Sequence, residues 1–335
     1  MSIVIGQIGV GRWGKNILRN LANLKNCTFT HVCDSSLDQI EKYKKDYPQV
    51  SFLSNPENIL SDKNIQALVI ATPVASHFSL AKQALLSGKH VFVEKPIVLE
   101  PKQLEELTEI SQERSLVLME GHLLLYHGAI QKMKKAIAAG LIGNIHHLYL
   151  RRTNLGAIRT EANVLWDVGP HDISILNVLL NGEPPEQISA LGKGVFLPDN
   201  QETIFTTVKF KNGIIANIHE SWLDPFKERK AIAVGDKGML ILDEHDPQAK
   251  LRWIKKQIVD TENALEHLRF KYIDEGQEKI NYQELEPLNA ELQHFVNCIA
   301  EGKEPISNSK NSLQVLRILC ACQKSLESNG NPVRL

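Results

Sequence analysis

The chain has 335 residues, 43% hydrophobic and 23% charged, a length ordinary for two domains with ample surface to bury. Its 38 basic and 39 acidic residues give a formal net charge of −1, which removes any general electrostatic drive toward nucleic acid or an anionic membrane. No apolar run reaches the ~18 residues of a spanning helix, and the N-terminus opens on the strand-like Ile3-Val4-Ile5 with no basic leader, so neither a membrane span nor a secretory signal is expected.

The first 121 residues alternate strand and helix signals. Ile3–Ile8 is a short apolar run, and Gly14–Leu24 has helical spacing through Ile17, Leu18, Leu21 and Leu24. Thr28–Cys33 is strand-like and Leu37–Tyr47 polar and helical. The apolar Ala67–Ala71 ends at Thr72-Pro73; a helix over Ser76–Ser87 follows and stops at Gly88. His90–Glu94 reads as a strand and Pro101–Arg114 as a helix with proline near its start. Val117–Met119 closes the series before Gly121. Strands alternating with helices of this length predict a parallel sheet covered on both faces, in a first domain of residues 1–121.

From 122 to 335 the pattern changes, and this segment is expected to form a second domain. Ala129–Ala139 and Asp172–Leu180 are helical, and His146–Arg152 is strand-like. Strand candidates then follow at 187–196, 203–210, 213–220, 230–235 and 238–243, with Asn212-Gly213 as a hairpin signal. Strands without intervening helices predict a mostly antiparallel sheet. Residues 260–284 are polar and irregular, and are expected to form a mobile insertion. Helices at 288–301 and 309–328 end the chain. The cysteines at 27, 33, 298, 320 and 322 are odd in number and sit mostly in apolar patterns. They point to a reducing, cytoplasmic setting with no disulfide framework and no metal site.

Three motifs carry chemistry. Gly9-Val10-Gly11-Arg12-Trp13-Gly14 follows the first strand and opens the first helix. The first glycine permits a tight turn, the second lets a pyrophosphate approach the backbone, and the third allows close helix–strand packing. Asp34 stands 20 residues after Gly14 at a strand end, where an acid can bind a ribose 2′-hydroxyl. Glu94-Lys95-Pro96 ends another strand, which aims Lys95 at the ligand crevice of such a sheet, although a lone Lys-Pro is ordinarily a plain strand end. In Trp166-Asp167-Val168-Gly169-Pro170-His171-Asp172, Asp167 and His171 stand four apart. Gly169 and Pro170 argue against plain helix between them. Histidine suits proton transfer near neutrality. Taken alone, His171 also reads as a structural histidine and Asp172 as a helix N-terminal acid.

Together these motifs, with Ala71-Thr72-Pro73 and His77, resemble the Gfo/Idh/MocA oxidoreductases over essentially the whole chain. The resemblance implies an α/β protein: an N-terminal Rossmann domain with a doubly wound parallel sheet, then a C-terminal α/β domain with a large, mostly antiparallel open sheet. It implies NAD as cofactor, held by Gly9, Val10, Gly11, Arg12, Trp13, Gly14, Asp34, Ala71, Thr72, Pro73, His77, Glu94 and Lys95. It implies a Lys95/Asp167/His171 catalytic set and a homodimer or homotetramer.

Further segments look like the branch of that family that oxidises the 3-hydroxyl of UDP-N-acetylglucosamine. They are Gly121–His127, Arg152–Gly156 with Arg159-Thr160-Glu161, Leu165-Trp166, Pro170–Ser174 and Ser221–Pro225. The expected substrate is therefore a nucleotide sugar, contacted by His122, Tyr126, Asn154, Arg159, Trp166 and His171. Arg159 is the candidate for the diphosphate, with a solvated loop charge as its plain alternative. His171 is expected to be the base, Lys95 to bond the same oxygen and disfavour imidazolium, and Asp167 to orient the substrate. The family often places an acid three residues after the catalytic histidine; here that position is Ser174. Two other functions stay open: a dehydrogenase of the uronic acid of UDP-GlcNAc, or of another sugar or polyol, which the Arg151/Arg152 pair supports for a carboxylate, and a non-enzymatic sugar sensor.

Overall fold

The computed structural model describes residues 2–261 and 269–335. In chain order the first half comprises β1 (Ile3–Ile8), α1 (Gly14–Leu21), β2 (Cys27–Cys33), α2 (Leu37–Lys44), β3 (Ser51–Leu53), α3 (Glu57–Leu60), β4 (Ala67–Ile70), α4 (His77–Leu86), β5 (His90–Glu94), α5 (Pro101–Glu113) and β6 (Leu118–Gly121). The second half comprises α6 (Gly128–Ala138), β7 (Ile145–Leu155), α7 (Val164–Leu179), β8 (Pro185–Lys193), β9 (Thr203–Phe210), β10 (Ile215–Ser221), β11 (Leu223–Gly235), β12 (Gly238–Asp243), β13 (Leu251–Asp260), β14 (Phe270–Lys279), α8 (Pro287–Glu301), α9 (Ser309–Glu327) and β15 (Val333–Arg334).

The chain forms two compact units, Met1–Tyr126 with Leu285–Leu316, and His127–Glu284 with Arg317–Leu335. In the first, six parallel strands lie in the order β3-β2-β1-β4-β5-β6. The order reverses between β1 and β4, which opens a crevice at the strands' carboxyl ends. All four residues of β4 are buried, as expected of a strand covered on both faces. Segment Leu285–Leu316, placed with the second domain on sequence, packs in this first unit. The ring of Phe295 on α8 meets Phe92 of β5 edge-on at 5.9 Å, and Arg19 of α1 pairs with Glu286 at 2.8 Å.

The second unit holds a nine-stranded sheet, β14-β13-β12-β11-β7-β10-β9-β8-β15, antiparallel except for the β7/β10 pair. Alternation along β7, β9 and β10 buries Leu148, Leu150, Ile204, Val208, Ala216 and Ile218 on one face. The other face leaves Tyr149, Phe205 and Ile215 exposed.

Three expectations are corrected. Within 260–284, Phe270–Lys279 forms β14, which pairs with β13; residues 262–268 lie outside the described residues. The polarity of β14 reflects an edge strand exposed on both sides, so no buried face imposes alternation. Helix α7 begins at Val164, eight residues earlier than read, and runs through Gly169 and Pro170. The Asn163 side chain caps it by accepting from the Trp166 N–H at 3.2 Å. Asp172 is consequently mid-helix and buried, not an N-terminal acid.

Candidate active site

The glycine turn of the first unit is built by its backbone. Gly9 has φ +96°, and a Cβ there would stand 2.5 Å from the Ala71 carbonyl oxygen. A Cβ on Gly14 would collide with the Gly9 carbonyl, whereas one on Gly11 would meet nothing within 4 Å. Two glycines therefore serve the turn's own closeness, and the third leaves space. Gln7, which sequence reasoning missed, braces the turn from beneath: its amide donates to the Gly9 and Gly14 carbonyls at 2.7 and 2.8 Å. Its signal was a buried polar residue within an otherwise apolar strand.

Asp34, at the end of β2, accepts from the Val10 N–H at 2.7 Å and from the Ser36 N–H at 2.9 Å. Its carboxylate is thus fixed against the glycine turn. Open space at Gly11, the start of α1 and this carboxylate fit a dinucleotide's pyrophosphate and ribose. Arg12 and Trp13 on the same turn are partly exposed, Trp13 with its indole N–H turned inward.

Glu94 ends β5 and is buried. One oxygen accepts from the Trp13 indole N–H at 2.6 Å, the other from the Lys95 N–H at 3.2 Å. Burial pushes its carboxyl up to about 7, against the Trp13 hydrogen bond and the Lys95 charge. The Lys95-Pro96 bond is cis, and Lys95 is half-buried. His77 lies almost wholly inside, with Nε2 2.7 Å from the Thr72 carbonyl and Nδ1 2.9 Å from that of Pro96. A neutral ring donates to only one of these at a time. Burial lowers its pKa, with both carbonyls pulling the other way. Its position ties the Thr72-Pro73 loop to the Lys95-Pro96 segment. Thr72 itself bonds Ser76 between hydroxyls at 2.7 Å.

His122 and Tyr126, expected at the substrate, are interior. His122 is fully buried beside Glu120, 3.1 Å from nitrogen to oxygen but without hydrogen-bond alignment. Burial raises the Glu120 carboxyl, but His122, Ser312 and the Ile97 N–H outweigh it and hold it low. The Tyr126 hydroxyl bonds Ser307 at 3.2 Å.

In the second unit, α7 presents Asp167 and His171 half-buried and one turn apart. Arg159, in the loop before the helix, lies 3.7 Å from Asp167. That loop is held by Asn200, whose amide donates to the Arg159 and Ala162 carbonyls at 2.8 and 3.1 Å. Trp166 donates its indole N–H to Gln323 at 3.2 Å, and Gln323 also accepts from the capping Asn163 at 3.1 Å. Gln323 on α9 had no recognisable signal in sequence. Asn154 accepts from Arg229 at 3.0 Å. Arg152 grips Asp172 through three hydrogen bonds of 2.8–3.0 Å, and Arg151 pairs with Glu228 at 2.6 Å, so both arginines are engaged within the protein.

The model of the oxidoreductase family with an NAD-binding Rossmann fold matches residues 3–122, and that of the GFO/IDH/MocA C-terminal domain matches residues 130–241. The chain is 24% identical over 336 residues to the myo-inositol 2-dehydrogenase of Thermotoga maritima, covering 96% of each chain. It is 28% identical over 219 residues to the UDP-N-acetylglucosamine 3-dehydrogenase of Acidithiobacillus ferrooxidans, covering 64% of this chain and 66% of that one. A solved structure of the latter enzyme shares the fold, with TM-score 0.83 at 22% identity over 98% of this chain and 99% of that one. With the glycine turn, Asp34 and the two sheets in place, the chain belongs to the Gfo/Idh/MocA oxidoreductases and is an NAD-binding enzyme of that family.

Proposed function

We propose that this enzyme oxidises the 3-hydroxyl of a nucleotide amino sugar, UDP-N-acetylglucosamine, with NAD as acceptor. The observation that carries the reading is Arg159 beside the Asp167/His171 face of α7. A guanidinium there suits a diphosphate, which it can bond in a fork. A polyol carries no charge for it to meet. The engagement of Arg151 and Arg152 by Glu228 and Asp172 counts against a sugar uronate, which needs a cation of its own.

His171 takes the hydroxyl proton as general base. Lys95 donates a hydrogen bond to the same oxygen and favours its anionic form. Asp167 orients the substrate and is itself steadied by Arg159. Bound NAD supplies the two-electron acceptor for the carbinol carbon. The nucleotide's binding energy acts through positioning, because the chemistry involves only the ring. The exposed sheet face bearing Tyr149, Phe205 and Ile215 supports assembly as a homodimer or homotetramer.

A polyol dehydrogenase is the second reading, favoured by the full-length match to the myo-inositol enzyme. NADH absorbance with UDP-GlcNAc, its uronic acid, free GlcNAc and myo-inositol decides. We expect turnover of UDP-GlcNAc and little or none of free GlcNAc. Robust use of myo-inositol with none of UDP-GlcNAc overturns the substrate.

A further inference from the structure

Helix α7 carries a glycine near its centre that the helix alone does not explain, since glycine there costs ~1 kcal/mol relative to alanine. The explanation lies on β10. A Cβ on Gly169 would stand 3.0 Å from Oε1 and 3.4 Å from Oε2 of Glu220, and 3.0 Å from a terminal methyl of Leu165 one turn back, which can swing aside where a buried carboxyl between strand and helix cannot do so freely. Glu220 is 1% exposed, and neither carboxyl oxygen has a hydrogen-bond partner among the described residues.

Three elements bring titratable groups toward it. Asp172 faces it from α7, Arg152 from β7, in register with Glu220, and Cys322 from α9. Arg152 is already committed to Asp172. Burial first, and Asp172 second, therefore hold the Glu220 carboxyl well above its ordinary range, with Arg152 opposing. The Cys322 thiol is also pushed up, by burial and then by Glu220.

Residues two apart on a helix point ~200° apart. Gly169 thus lies on the side opposite both Asp167 and His171, which share a side. Glu220 presses on the back of the helix directly behind them. At the same place, Pro170 has no N–H to give to the Trp166 carbonyl, so the backbone ladder is thinnest there.

We propose that Glu220 is a positioning residue: its carboxyl, seated against Gly169, sets the pose of the α7 segment that presents Asp167 and His171. The proposal rests on the reading that α7 carries the site, but on no particular substrate. It also makes the pose sensitive to alkali, because an ionised Glu220 would be an unpaired buried charge against helix backbone.

The full-length chain is compared as wild type, Glu220→Gln, Gly169→Ala, and Gly169→Ala with Glu220→Ala. Two readouts serve: the His171 imidazole titration by NMR, assigned with His171→Asn, and Tm between about pH 5 and about pH 9. Gly169→Ala should move the His171 midpoint by ~0.5 unit or more and lower Tm. The double variant, which removes the carboxyl and leaves only the flexible Leu165 methyl beside the new Cβ, should return both toward wild type. Glu220→Gln should keep the His171 titration and flatten the fall of Tm with rising pH. An unchanged His171 titration in Gly169→Ala overturns the proposal, as does failure of the double variant to restore it, or a Tm profile of Glu220→Gln that coincides with wild type. Neither readout uses substrate, so failure here is distinct from failure of the substrate reading.

Discussion

The indole N–H of Trp13 donates to Oε1 of Glu94 at 2.6 Å, so one hydrogen bond joins the glycine turn to the strand end that carries Lys95. The Glu94 carboxyl, raised from 4.5 to about 7, makes this link pH-dependent. The folded state keeps the proton where the unfolded state has lost it. The stability this brings is whole below the ordinary carboxyl range, falls as pH rises from about 4.5, and is gone above about 7. Glu94→Gln should remove that slope, a change of up to about 3 kcal/mol across the window. Urea unfolding at a series of pH values measures it, and parallel slopes for the two proteins refute the assignment.

Asp34 should make NAD strongly preferred to NADP. Its carboxylate repels a 2′-phosphate, and residues 35–39 offer no Lys or Arg to offset it. The ratio of kcat/KM for the two cofactors is the test; equal or better use of NADP removes that role. Because Asp34 also satisfies the Val10 and Ser36 N–H groups, Asp34→Ala should in addition lose about 1–3 kcal/mol of stability.

Lys95→Ala and His171→Ala should each lower kcat by ~10²–10⁴; His171→Ala should leave cofactor affinity nearly unchanged, and Lys95→Ala should weaken it far less than it lowers kcat. Fluorescence titration with NADH provides the affinity. Near wild-type turnover in either variant shows that its residue is not part of the proton-transfer machinery.

Arg159→Ala should raise KM for UDP-GlcNAc several-fold and change NAD affinity little, because a fork to a diphosphate is a ground-state contact as well as a positioning one. Equal KM values in the two proteins would make Arg159 a solvated loop charge.

The Arg152–Asp172 pair is buried, so breaking it should cost far more than replacing it. Asp172→Asn or Arg152→Met alone should lose about 3–5 kcal/mol, while a joint apolar replacement should lose much less. A double-mutant cycle by chemical denaturation reads the coupling, and additive losses would show that the pair acts as two independent groups.

The legible parts of the molecule were those governed by local rules. Strand–turn–helix punctuation in residues 1–121 and the Asn212-Gly213 hairpin correspond to observed elements, because periodicity and turn chemistry act over a few residues. What escaped reading depends on distant partners. Pro170 reads as a helix breaker until Asn163 is seen to cap α7 and Glu220 to explain Gly169. Arg152 looks like a spare cation until Asp172 is found across from it. The resemblance of Gly121–His127 to one branch of the family puts Tyr126 and His122 at the substrate but says nothing of burial; both lie inside, Tyr126 bonded to Ser307 and His122 beside Glu120.

The return of Leu285–Leu316 to the first unit has a practical corollary for anyone treating this protein as two exchangeable modules. A fragment cut after residue 121 would keep all six strands of the first sheet and the whole nucleotide turn, yet leave Phe92 without Phe295 and Arg19 without Glu286. Such a fragment is an unfinished object, not a minimal cofactor carrier. Grafting a different substrate module onto this cofactor half therefore means keeping α8 with the recipient: the seam follows the packing of the chain, not its linear order.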